Sequence, residues 1–163
     1  MNNDNELKGL GGWLVLVGIG VVISPIRMLV TIPPIYLPLF QDGTWEVLTT
    51  VGSEAYIPYF GALLVGEIVI NLIMLIASLL LIYLFFSKHY LFPKLFIGIL
   101  LFTLIFILLD AWLVTVILPG EKMFDPETTM EFLRTLIPSV IWIPYMLISK
   151  RVQATFVENM PDN

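Results

Sequence analysis

Residues 68–87 read IVINLIMLIASLLLIYLFFS, twenty positions without a charged side chain. At ~1.5 Å of rise per residue, a helix of that length covers ~30 Å, the thickness of a bilayer's hydrocarbon core. A helix apolar on every face needs burial all round, which a small soluble domain does not supply. The stretch therefore names lipid as the solvent, and the composition agrees. Of 163 residues, 58% are hydrophobic and 13% are charged, about half the charged share of an ordinary soluble domain. The length predicts one domain. Cysteine is absent, so disulfides, thiolate nucleophiles and thiolate metal sites are excluded. The eight lysines and arginines are scattered, with no basic stripe of the kind that binds nucleic acid.

Three more apolar stretches accompany the first. Together they predict spans at about 10–32, 60–86, 95–118 and 132–148. The reading is an all-α protein, a four-helix antiparallel transmembrane bundle forming a single domain over residues 1–163 with short tails. Span four is short in apolar residues. Asp125 and Pro126 form a good N-cap and first-turn pair, so its helix is expected to begin there. The lead-in MNNDNELK has one lysine and two acids, and no A-x-A-like site follows the first apolar run. Span one is accordingly read as retained rather than cleaved. Between spans one and two, residues 33–58 read as a long outer loop. Its opening, TIPPIYLPLF, carries prolines expected to end the helix, and Trp45, Leu48 and Val51 suit either a short surface helix or an ordered lid.

Lysine and arginine in the short flanks set orientation. Lys8, Lys88, Lys94, Lys150 and Arg151 fall on one side, with Lys122 and Arg134 on the other. Both termini are expected in the cytoplasm. Trp13, Tyr36, Tyr59, Tyr83 and Tyr90 sit near span ends, as an interfacial aromatic belt requires. Gly12, Gly20, Ala62 and Gly66 are candidates for close helix approach.

Each span carries one charge at membrane depth: Arg27, Glu67, Asp110 and Arg134. Counting helical rise, Asp110 lies ~23 Å above Leu95 and Arg27 ~25 Å above Leu10, while Glu67 lies ~9 Å below the outer boundary. All four fall in the outer third of the core, and their formal charges cancel. A charge at the bilayer centre costs a few kcal/mol, and paired charges facing a bundle interior cost less. Polar neighbours line up with them. Gly20, Ser24, Arg27 and Thr31 share a face, as do Glu67, Asn71 and Ser78; Thr103 lies two turns below Asp110. The expected polar core is thus Arg27, Glu67, Asn71, Asp110 and Arg134, open toward the outer side and tapering inward.

That core admits two readings. It is a structural ion-pair network in a scaffold or accessory membrane protein, or a cavity that binds or passes an ion, a proton, a polar solute or a lipid headgroup. Arg134, near the outer interface, also has the option of snorkelling to water. An enzyme is not expected: HExxH, GxSxG, P-loop and dinucleotide fingerprints are missing from the sequence, and its single histidine, His89, reads as a solvated loop residue. No cofactor or metal is expected. Membrane lipids are the expected partners, with another membrane protein possible and no nucleic acid; oligomeric state is open.

Two stretches at the ends carry a resemblance. GLGGWLVLVGIGVVISPIR opens span one, and WIPYMLISKRVQATFV closes span four. The motif positions are Gly11, Gly12, Trp13 and Leu14, then Trp142, Pro144, Tyr145, Ser149, Lys150, Arg151, Val152, Thr155 and Phe156. In these the chain resembles a bacterial membrane family catalogued as domain of unknown function 2569. The resemblance implies four spans in a bacterial inner membrane and supplies no activity. Taken physically, SKRVQATFV is a stop and anchor, with Lys150 and Arg151 at the headgroups and Phe156 dipping into the interface; a docking tail for a cytoplasmic partner is the alternative.

Overall fold

The helix-forming pattern survives folding almost intact. The computed structural model describes residues 8–118 and 120–159. Four helices long and apolar enough to cross a membrane dominate it: α1 (Trp13–Gln41), α3 (Phe60–Phe86), α4 (Phe92–Ile117) and α5 (Pro126–Ile148). Two short helices, α2 (Thr44–Thr49) and α6 (Lys150–Thr155), flank them. Among the described residues the one extended pairing is a parallel bridge between His89 and Glu158.

The caps are local. Asp125 accepts a 2.6 Å hydrogen bond from the Thr128 N–H, with Pro126 in the first turn of α5. Ser149 accepts from the Val152 N–H and starts α6. The Thr128 bonds hold the Asp125 carboxyl below the usual carboxylate range. A folded-state pKa below its unfolded value stabilises the fold above the unfolded value and loses that contribution as pH falls through the folded one. Asp125→Ala should therefore fray the start of α5 at neutral pH, while Asp125→Asn keeps the cap but loses its acid dependence. Hydrogen exchange at Thr128 from neutral to acid pH measures both.

The expected loop 33–58 is corrected. α1 runs through Pro33, Pro34 and Pro38 to Gln41. Each proline lacks a donor and crowds the carbonyl four residues back. Near the end of a membrane helix, neighbouring groups and water can satisfy the freed carbonyls. Tertiary contacts hold the added turns: Tyr36 donates a 3.0 Å hydrogen bond to Glu67 on α3, and the Phe40 ring lies 5.2 Å from Trp45 on α2. At 29 residues, α1 measures ~43 Å and exceeds the hydrocarbon thickness. α2 lies between α1 and α3, with the Thr49 side chain and the Trp45 ring against Gly61.

Packing is uneven along the bundle. The buried apolar cluster joins Leu14, Val17 and Val21 of α1, Leu81, Leu84 and Phe85 of α3, Phe92 of α4, Met146 of α5, and Val152 and Phe156. All of it lies at the end that carries the termini. Elsewhere the long helices present bare apolar side chains such as Ile26, Val30, Ile73, Ile105 and Val140 to their surroundings, as lipid-facing surface does. Neighbours along the bundle run α1 on α3, α3 on α4 and α4 on α5, while α1 and α5 pack little against each other.

The end motifs form the seal of this base. The Arg151 guanidinium lies against Gly11 and Gly12. Trp13 meets Trp142 edge-on at 6.1 Å, and Trp142 meets Tyr145 at 5.8 Å. The Gly9 N–H donates to Thr155 Oγ1 at 3.0 Å. Phe156 stacks on Phe92 at 4.6 Å and is 4% exposed. The anchor reading of the tail is corrected for Phe156: it is buried in protein with Val152 and Thr155 rather than dipped into the interface, because the Phe85 and Phe92 rings offer it close aromatic packing. Of the glycines expected at close approaches, Gly12 lies under the Arg151 side chain while Gly20 and Gly66 have nothing within 4 Å of an added Cβ; the tightest helix contact is instead at Gly18, where a Cβ would meet the Phe85 ring at 2.7 Å.

Candidate functional site: an intramembrane cavity

Above the sealed base the four long helices diverge around a cavity of about 800 Å³. Its floor is apolar, with Val17, Leu81, Phe96 and Trp142. Its upper walls mix apolar side chains such as Ile32, Ile35 and Phe106 with the charged and polar ones. All five residues singled out by the sequence line it: Arg27, Glu67, Asn71, Asp110 and Arg134. So do the stripes read from helical spacing, with Gly20, Ser24 and Thr31 on α1, Ser78 on α3 and Thr103 on α4.

The pairing among these groups differs from expectation. Glu67 takes its hydrogen bond from Tyr36, and Asn71 Nδ2 donates to the same Tyr36 oxygen at 3.2 Å. Arg27 has its Nη2 4.0 Å from Glu131 Oε1, the one ion pair among the described residues. Both partners are at least half exposed, so the pair contributes little on its own. Arg134 is exposed and has no carboxylate within 4 Å among the described residues. Asp110 lies in electrostatic reach of both Glu67 and Glu131. The two arginines therefore do not clasp the two carboxylates of Glu67 and Asp110. Helical rise fixes a residue's height but not the direction its side chain leaves the bundle axis, and pairing needs both.

The deep hydroxyls are satisfied within their own helices. Ser78 donates to the Leu75 carbonyl at 2.8 Å and Thr103 to that of Ile99 at 2.8 Å. The lining polar groups not bonded to their own helix backbone lie higher, Tyr36, Asp110 and Glu131 among them. Two of these escaped sequence reasoning. Tyr36 read as part of the interfacial belt, and in an unbroken helix it falls about half a turn round from Arg27, so helical phase holds no signal for it. Glu131 read as an outer-loop acid, although its position three residues before Arg134 places the two on one face. His89 stays at the α3–α4 turn, where its Nδ1 accepts from the Leu91 N–H and its ring stacks on Tyr90, well away from the cavity.

Fold and cavity together define a multi-pass helical membrane protein with a chamber of mixed polar and apolar lining among its long helices. The chain belongs to the family described as Protein of unknown function (DUF2569), which it matches over residues 7–157. The match takes in both end motifs and all four long helices. No curated protein and no solved structure matches it.

Proposed function

We propose that the protein is a non-enzymatic binding protein of the bacterial inner membrane that holds a small polar or amphipathic molecule in this cavity. Both termini lie on the cytoplasmic side in this reading, so the polar half of the cavity occupies the outer leaflet. One observation carries it: side chains from four separate helices, Arg27, Glu67, Asp110 and Arg134 among them, line one chamber of about 800 Å³ without consuming each other in ion pairs. That volume falls within the ~300–1,000 Å³ typical of ligand sites. Leaving unpaired charges at membrane depth costs several kcal/mol unless a cavity solvates them or a guest pairs them. A purely structural network asks for close arginine–carboxylate pairs, and the 4.0 Å approach of Arg27 to Glu131 is the nearest to one.

The natural lack of cysteine makes the test direct. Single cysteines are placed at Asn71 in the cavity wall, at Ile73 on the lipid face, at Ser53 in the connection before α3 and at Glu158 in the tail. A membrane-impermeant thiol reagent is then applied to either side of oriented vesicles. Labelling of Ser53→Cys and Asn71→Cys from outside, with Ile73→Cys inert and Glu158→Cys reactive from inside alone, is the expected pattern. Asn71→Cys as inert as Ile73→Cys would remove the binding reading, and the reverse sidedness of Ser53→Cys would invert the topology.

A further inference from the structure

Among the cavity-lining residues, those left exposed gather on two helices. On α1 they are Ser24, Arg27 and Thr31, together with apolar neighbours; on α5 they are Glu131 and Arg134. The lining residues of α3 are all at least partly buried, and so are all but one of those on α4. The chamber is therefore open sideways, between α1 and α5, the two long helices that pack little on each other. Trp13 against Trp142 closes this slot at the base, and the long Arg27–Glu131 contact spans it higher up. The distance from Trp13 to Arg27 along α1 is ~21 Å, about two-thirds of the ~30 Å hydrocarbon core. The slot thus faces acyl chains.

The geometry points to a zwitterionic phospholipid from the surrounding bilayer, its headgroup bearing both phosphate and an ammonium group, as the guest that enters through this slot. This rests on the cavity reading above and names its ligand. Three features converge on it. The chamber is apolar at its floor and gathers its charged side chains in its upper part, matching a tail below a head. Arg27 and Arg134 flank the slot, and guanidinium forks suit phosphate. The lining also carries Glu67, Asp110 and Glu131, three carboxylates to two arginines, so a headgroup of one sign would meet repulsion where a zwitterion finds both partners. A lipid also needs no aqueous route to a slot that faces its own phase.

The test uses the full chain in detergent and in lipid nanodiscs. Wild-type protein should retain phosphatidylethanolamine through purification, and adding that lipid should raise the melting temperature. It should also slow thiol labelling of Asn71→Cys. Arg27→Gln and Arg134→Gln should each weaken retention by about tenfold or more, the loss of one charge-assisted contact, while Lys94→Gln, outside the cavity, should not. A phosphatidylethanolamine with a photoactivatable acyl chain should crosslink to wild-type residues Met74 or Ile99 in the cavity wall, a readout that needs no variant. Equal stabilisation by diacylglycerol, by phosphatidylglycerol or by soluble phosphoethanolamine would overturn the assignment, as would crosslinks confined to outward-facing residues. Brisk labelling of Asn71→Cys that phosphatidylethanolamine leaves unchanged would overturn the lipid while leaving the binding cavity standing.

Discussion

Phe92→Ala should lower the melting temperature more than any other single truncation in the bundle, with a cost of about 3–5 kcal/mol. Phe92 is 0% exposed. Its ring lies 5.1 Å from Phe85, 5.6 Å from Phe96 and 4.6 Å from Phe156. It thus connects α3, α4 and the tail that seals the base. Lipid tails are as apolar as a side chain, so the loss is one of packing contacts rather than of water exclusion. The neighbours cannot collapse into the gap without releasing Phe156 and opening the seal. Leu91→Ala, one position earlier and exposed, is the matching control and should cost little. Thermal unfolding in detergent, read by loss of monodisperse protein, compares them. A Phe92→Ala protein that melts with the Leu91→Ala control would show that the aromatic cluster does not hold the base.

The second large effect comes from adding atoms. A Cβ at Gly18 would sit 2.7 and 2.8 Å from two carbons of the Phe85 ring. A flexible side-chain end can usually yield at such a contact, but this ring is 3% exposed and wedged among Phe86, Phe92 and Phe156. Overpacking of this kind costs about 1–3 kcal/mol and occasionally more. Gly18→Val should go further than Gly18→Ala and separate α1 from α3 at the base. Gly20→Val, whose added atoms enter the open cavity, should fold normally. Equal expression and melting of the Gly18→Val and Gly20→Val proteins would mean that α1 and α3 do not approach closely there.

Much of this architecture is written in hydropathy. The uncharged run at 68–87 and its three companions mark the four long helices to within a few residues, apart from the far end of α1. Helical spacing likewise put Gly20, Ser24, Arg27 and Thr31 on one face, and all four line the cavity. What spacing cannot supply is azimuth between helices. Arg27 and Asp110 were placed at similar heights, yet Arg27 turns to Glu131 and Asp110 does not pair with it. The extension of α1 through Pro33, Pro34 and Pro38 was hidden for a related reason. Local proline rules describe a helix alone, whereas the Tyr36–Glu67 bond is a contact between residues 31 positions apart. The packing roles of Gly18 and Phe156 escaped because they lie in what packs on these residues, and an apolar residue near a span end looks the same whether it faces lipid or a ring.

The hydrogen bonds between Gly9 and Thr155 join residues 146 positions apart, and this has a bearing on biosynthesis. While the chain is being made, α1 leaves the translocation machinery long before its seal exists. Until residues 151–156 have emerged, the Arg151 side chain and the Phe156 ring cannot reach Gly11, Gly12 and Phe92. A chain cut off near residue 140 would carry four hydrophobic segments, the last incomplete, and an unlatched floor. The last step of maturation is then the closure of this base, which ties the two ends of the chain together.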